Sequence, residues 1–362
     1  MSIVELAERI AALPPEPREA AARIYSVSAT TGTLVPPDAM RPWIEKLFGS
    51  VDAVRSQRIV RVTDLVTLEG ALFNALRAMR PMALPEKSAA EVAETIRSSV
   101  NDPFCAVETG TPADDFGRVR GNGSVTASNV AKYDGYHGVL VFDAHDPLAP
   151  MDEAAIADHL ATAHAWGKAA VARDPAAPYY FLMWNCLWRA GGSIVHGHMQ
   201  MTTTHGMHYP KVERLRRAAA GYASRHGRDY FDDVWLVHEA LGLGATVGGA
   251  RVMATLTPVK ERELVILGRP GAGEETIAAG IAHGLASLRS QGVVAHDLAL
   301  YLPPLADDGT DWSHFPAVAR VVDRGDPGNR TCDIGSMELY AASVIASDPF
   351  AVGAALQKGS GR

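Results

Sequence analysis

The sequence predicts an α+β fold in which one strand–helix–strand pattern is used twice. Three observations carry that expectation. Residues 124–142 read as two short strands around a turn, and a long helical stretch at 151–173 separates them from a third strand, Tyr179 to Trp184. The stretch Gly191 to Gln200 reads Gly-Gly-Ser-Ile-Val-His-Gly-His-Met-Gln, and its two histidines fall two positions apart, as strand residues on one face do. From about residue 250 the succession recurs, with strands at 251–257 and 263–267, a helix at 274–290 and strands at 296–302 and 317–322.

Length and composition bound the rest. A chain of 362 residues holds about two domains, or one duplicated unit. The net charge of −7, without a basic block, argues against a nucleic-acid partner. Three cysteines, Cys105, Cys186 and Cys332, lie far apart, which argues against a disulfide framework and for a reducing, cytoplasmic setting. The first residues carry Glu5, Glu8 and Arg9 and do not read as a signal peptide. With no run of about 18 apolar residues, no membrane partner is expected.

Taken in order, residues 1–55 read as a helical, peripheral extension. Ile3, Leu6, Ile10 and Leu13 recur at helical spacing, and Pro14, Pro15 and Pro17 end that element. Such a segment packs on the body or serves a homodimer. Residues 59–68 are β-rich and lead to a segment holding Arg77 and Arg80. A helix is expected near Ala89 to Ser98, followed by Asp102-Pro-Phe-Cys105. After the strand pair come Asp152 and Glu153, acidic residues suited to a helix N-terminus, and a stripe of Ile156, Leu160, Ala163 and Gly167. His137 opens a strand and reads as a framework histidine. The strand from Tyr179 ends at Asn185, flanked by Trp184 and Trp188, which wall a base pocket or, by default, pack in the core. His205 and His208 fall in a loop beyond the histidine strand, ahead of a helix near Lys211 to Arg225, and are left out of the site.

The histidine stretch carries the chemistry. On a strand, His196, His198, Gln200 and Thr202 share one face while Val195, Gly197, Met199 and Met201 share the other. On a helix the two histidines would stand ~200° apart. Asn185 lies eleven positions ahead of His196, and Gly191, Gly192 and Ser193 are small enough to let backbone amides approach a phosphate. Asn, a small-residue loop with Ser, then His-x-His-x-Gln resembles the signature of the histidine-triad superfamily. More narrowly, it resembles the branch holding galactose-1-phosphate uridylyltransferases and diadenosine tetraphosphate phosphorylases. The resemblance spans roughly residues 60–350.

It implies two tandem histidine-triad-like units, antiparallel sheets flanked by helices: a catalytic half at 56–245 and a degenerate second half at 246–362 that lacks His-x-His. It implies His198 as nucleophile, with His196 holding the pair, Gln200 donating to phosphoryl oxygens, and Ser193 with the Gly191 and Gly192 amides cradling them. Arg77 and Arg80 become phosphate clamps, since the planar guanidinium binds phosphate bidentately. Asn129 and Asn185 become nucleotide contacts, with Lys132 near a phosphate, and Glu338 in Gly335-Ser-Met-Glu338 an acceptor contact. Val344 stands about where a further acceptor-binding glutamine is expected. Many uridylyltransferases hold zinc here. The matching positions are Asp102, Cys105, His145 and His196, a donor set that zinc accepts, although the cysteine pair is missing and the phosphorylases dispense with metal. No organic cofactor is implied.

Three functions stay open on the sequence. The first is a nucleotidyltransferase working through a covalent nucleotidyl-histidine, with a nucleotide sugar as donor and a phosphate-bearing acceptor such as a sugar 1-phosphate. The second is a phosphorylase using inorganic phosphate. The third is a catalytically decayed nucleotide-binding protein.

Overall fold

The computed structural model describes residues 1–79, 89–269, 276–329 and 331–358. Two short helices, α1 (Leu6–Ala11) and α2 (Pro15–Ile24), precede a nine-residue strand, β1 (Tyr25–Thr33). This strand corrects the expectation of a helical extension. Its Ser, Thr and Val residues favour the pleated state, and it pairs along its full length with β2 (Ser56–Asp64). Helices α3 (Arg41–Phe48) and α4 (Val51–Arg55) connect the two strands. β3 (Gly70–Phe73) joins β2, and helices α5 (Ala89–Ser98) and α6 (Val107–Gly110) follow.

The first unit is built from β4 (Ser124–Ser128), β5 (Tyr136–Phe142), α7 (Glu153–Arg173), β6 (Tyr179–Cys186) and β7 (His198–Thr204). Helices α8 (Pro210–His226) and α9 (Tyr230–Ala240) lead to β8 (Gly244–Val247). The second unit repeats the plan with β9 (Ala250–Ala254), β10 (Leu264–Leu267), α10 (Ala278–Ser290), β11 (His296–Tyr301) and β12 (Val318–Asp323). The chain ends with α11 (Ser336–Tyr340), β13 (Ser343–Ile345) and α12 (Pro349–Lys358).

Both units join one antiparallel nine-stranded sheet in the order β4-β5-β7-β6-β11-β12-β10-β9-β8. Within each unit the last strand inserts between the hairpin and the strand after the helix, so the sheet is a duplicated four-strand plan meeting at β6 and β11. A second, four-stranded sheet runs β1-β2-β3-β13, with β13 parallel to β3.

One face of the large sheet is covered by α7 and α10 over a single apolar core that includes Leu140, Trp166, Leu182, Met199, Met201, Ile281 and Val321. The helix α7 starts where the Asp152 carboxylate accepts the Ala155 amide, and it buries Ile156, Leu160, Ala163 and Gly167. It approaches the sheet closely at Gly138, where an added Cβ would meet the Trp166 indole at 2.5 Å. Gly138→Val is therefore expected to lower stability by about 1–3 kcal/mol through overpacking, read as a lower urea midpoint at unchanged slope.

The opposite face differs between the units, and this difference decides where chemistry can occur. Over the second unit, Leu267, Tyr301 and Val318 are buried under the small sheet, α2, α8 and α9. Arg320 lies in the cross-strand row Gln200–Met183–Ala299–Arg320, and Glu69 and Glu263 hold it. The equivalent face of the first unit keeps Met183, Asn185 and Gln200 half-buried. No helix among the described residues is long and apolar enough to cross a membrane.

Candidate active site

The strand β7 begins at His198, so His196 stands in the bend just before it rather than on the strand, a correction to the expected four-residue face. Extended pairing still reaches this far: the Gly197 amide donates to His145 O and its carbonyl accepts the Phe142 amide. Glycine is required there, because a Cβ would meet the Phe142 ring at 2.6 Å. Met199 and Met201 go to the core, and His198, Gln200 and Thr202 go to the open face, as alternation demands.

The Nδ1–H of His198 donates to the His196 carbonyl at 2.9 Å. This fixes the tautomer, leaving the lone pair on Nε2. Nε2 has no hydrogen-bond partner among the described residues and is not sealed from solvent. Burial lowers the imidazole pKa, so the ring is neutral near pH 7. The edge of Phe104 packs against it, with ring centroids 5.1 Å apart.

Gln200 is placed by His137, whose Nε2 lies 2.9 Å from Gln200 Oε1. Asn129 joins the same cluster, its Nδ2 3.2 Å from His137 Nε2 and its Oδ1 accepting the Ala131 amide. Lys132 is held at Ser128 and Asp114, at the foot of that turn.

Asn185 is half-buried on β6, paired through its backbone with Asp297, and its side chain makes no hydrogen bond among the described residues, so the side-chain amide is available. The loop that follows corrects one expectation. The Gly191 and Gly192 amides already donate to Trp188 O and Leu187 O. The amides with no partner among the described residues are those of Ser193, Ile194 and Val195, and the Ser193 side chain is exposed. Gly192 serves the close turn instead, since a Cβ would lie 2.8 Å from Asn185 O. Trp184 is fully buried in the core and walls no base pocket, while the half-buried Trp188 donates its indole N–H to Pro327 O.

Asp102, Cys105, His145 and His196 converge, their donor atoms all within 4.8 Å of one another. Cys105 Sγ lies 3.4 Å from His145 Nδ1 and 3.5 Å from His196 Nδ1, and the two Nδ1 atoms are 3.2 Å apart. His196 Nε2–H donates to Phe142 O, and His145 Nε2–H is directed to Ile96 O and Ser99 Oγ. Both rings therefore turn a bare Nδ1 toward the same point while the opposite ring nitrogen is anchored by a carbonyl, as in metal-binding histidines. The separations match the edges of a tetrahedron around zinc, about 3.3 Å for N···N and about 3.6 Å for N···S at ordinary bond lengths. Asp102 Oδ2 is buried without a partner, one more donor in need of a cation. The residues fit the metal.

Arg77 and Glu338 lie elsewhere. With Arg189, Lys260, Arg262 and Arg324 they line a cavity of about 450 Å³, whose lining includes none of Ser193, His196, His198 and Gln200. Glu338 Oε2 accepts the Gly335 amide at 2.9 Å, closing the start of α11. Val344 also lines this cavity. The cavity connects to the histidine face through Arg324, which bonds Asp297, the cross-strand neighbour of Asn185. Arg80 lies outside the described residues. Sequence reasoning passed over Arg189 and Asp297 and treated His137 as framework. The parity of His137 with Val139 and Val141 was a signal, but only the β5–β7 register shows that it faces Gln200.

No protein-family model matches the chain, and no curated protein matches its sequence. Solved structures do. An ADP-glucose phosphorylase from Arabidopsis thaliana, with bound ADP-glucose, superposes with a TM-score of 0.60 at 15% identity, over 81% of this chain and 96% of that one. A GalT-like protein from Arabidopsis thaliana gives 0.57 at 15% identity, over 82% and 97%. A uridylyltransferase gives 0.57 at 16% identity, over 83% and 98%. In fold, this chain is similar to these phosphorylase and uridylyltransferase structures over more than four-fifths of its length.

Proposed function

We propose that the protein is a nucleotidyltransferase that carries a nucleoside monophosphate on His198. The observation that carries this reading is the neutral imidazole whose Nδ1 is tied to the His196 carbonyl while Nε2 stays free beside Gln200. Nε2 attacks the α-phosphorus of a nucleoside diphosphate compound such as a nucleotide sugar. The N–P bond forms, the P–O bond to the leaving phosphate breaks, and the leaving group takes that electron pair. A phosphate oxygen of the acceptor then attacks phosphorus, and the N–P pair returns to Nε2. Gln200 donates its amide to the phosphoryl oxygens, and the free amides of Ser193, Ile194 and Val195 cradle them. Asn185 and Asn129 hold the nucleotide. Asp102, Cys105, His145 and His196 would hold zinc, which fixes the position of His196 and so the carbonyl that orients His198.

The acceptor is a sugar 1-phosphate or similar phosphomonoester, bound by Arg77 and Glu338 in the cavity next to the Asn185 row, with Arg80 assisting. The phosphorylase reading is favoured by one observation, that Glu338 is already engaged with Gly335, which leaves a smaller claim on a sugar hydroxyl. The similar ADP-glucose phosphorylase binds ADP-glucose, which makes nucleotide sugars the first donors to try under either reading.

The test is to incubate the protein with α-labelled nucleotide sugars and dinucleotides and look for acid-labile, base-stable label on the chain. Sugar 1-phosphates and inorganic phosphate are then added in turn, and the acceptor that discharges the label separates transferase from phosphorylase. Glu338→Ala is expected to raise the acceptor KM about 10-fold or more while the labelling half-reaction is unchanged, the loss of a hydrogen bond to a charged group. No label from any donor would leave the decayed-protein reading standing.

A further inference from the structure

We propose that His137 is a positioning residue that decides which end of the Gln200 amide faces the transferring phosphoryl group. The proposal rests on the nucleotidyl-transfer reading of His198.

A glutamine amide has a donor end and an acceptor end of nearly equal size, and nothing in its own shape selects between them. Presented one way, Gln200 offers N–H to phosphoryl oxygens as their charge grows. Turned by 180°, it offers a carbonyl oxygen to the same charge and repels it. The selection is made behind it. The Tyr133 backbone amide donates to His137 Nδ1 at 3.0 Å. A backbone N–H can only donate, so Nδ1 must carry the lone pair, and in a neutral ring the proton is then on Nε2. The ring is fully buried, and its burial disfavours the charged form.

Nε2–H therefore needs an acceptor. Gln200 Oε1 lies 2.9 Å away, and the other neighbour, Asn129 Nδ2 at 3.2 Å, is itself a donor. The Asn129 amide has no freedom to exchange its ends, because its Oδ1 is held by the Ala131 amide. The Tyr133 and Ala131 backbone hydrogens, which cannot change role, therefore fix the orientation of both amides. Tyr133 stacks on the ring at 4.6 Å between centroids and keeps its plane. The turn between β4 and β5, which also carries Asn129, thus sets the polarity of Gln200 through one imidazole.

The experiment is a double-mutant cycle on the labelling step. His137→Leu is expected to slow formation of the His198 adduct about 10²-fold, with the donor KM changed by less than about 3-fold, as for loss of one preorganised donor. Gln200→Ala should cost about the same. The double variant should be no slower than the worse single variant, within about 3-fold, because both act through one amide; independent roles would multiply to about 10⁴-fold. His137→Gln, whose amide can donate to Gln200 Oε1, should recover to within about 10-fold of wild type. Losses that multiply in the double variant, or a His137→Leu enzyme as fast as wild type, overturn the proposal.

If wild type takes no label from any donor, the reading of His198 has failed. The positioning claim is then decided by ¹⁵N NMR of the histidine ring, with His137 protonated at Nε2 and bare at Nδ1 as the expected result. A proton on Nδ1 overturns it, and the same measurement stands if His137→Leu does not fold.

Discussion

His198→Ala is expected to abolish covalent capture of the nucleotide, lowering the transfer rate by at least about 10⁴-fold, while the protein melts with wild type. The size follows from the role: removing a nucleophile removes the intermediate itself, and only binding and the phosphoryl donors remain to assist direct displacement by the acceptor. Folding should survive because the ring faces the open side of the sheet, while the core side of β7 is held by Met199 and Met201. The loss of one hydrogen bond to the His196 carbonyl costs only about 1 kcal/mol. Nucleotide affinity should change little, since Asn185 and the Ser193–Val195 amides are untouched. Label retained on the variant would reject His198 as the nucleophile. His196→Ala offers the contrast, because it removes the ring donating to Phe142 O and a member of the Asp102–Cys105–His145 cluster, and should cost stability as well as rate.

The second large effect concerns that cluster. The purified protein is expected to contain about one zinc ion per chain, and Cys105→Ala or His145→Ala to reduce this to a small fraction. Without a cation, two bare imidazole nitrogens 3.2 Å apart share the single Cys105 thiol hydrogen, which can serve only one of them, and Asp102 Oδ2 has no partner among the described residues. Metal bound only by the folded chain adds stability by linkage, about 4 kcal/mol when free zinc exceeds Kd by 1,000-fold. Chelation should therefore lower the melting temperature by several degrees, and zinc should restore it. Elemental analysis and thermal unfolding measure both. A metal-free wild type whose melting temperature ignores added zinc would remove the assignment.

These expectations draw unequally on sequence and structure. The period-2 alternation around His198 already separated Met199 and Met201 from His198 and Gln200, because side-chain direction on a strand is fixed by the backbone. The α7 stripe was equally legible, since Ile156, Leu160, Ala163 and Gly167 follow the helical period and are buried together. The repeat of strands and helices after residue 250 was readable for the same reason. β1 is not legible in the sequence because most of it is exposed and its second half carries no apolar alternation; it is a strand through its pairing with β2.

By itself, the sequence determined the core and open sides of α7 and of the strand from His198 and that the plan occurs twice, since local backbone geometry dictates both. Tertiary structure decided the rest. It seated Asp102, Cys105, His145 and His196 around one point from three separate segments, and it turned the Gly191 and Gly192 amides inward on their own loop. It placed Arg77 and Glu338 in a cavity apart from His198, and brought His137 behind Gln200. The physical reason is that hydrogen bonds and ligand sets depend on which strands become neighbours and in what register. That is settled by packing two units on one sheet and covering the second more completely, with its Arg320 closed by Glu69 and Glu263 while the first, under Phe104 and Val107, keeps Gln200 within reach of solvent.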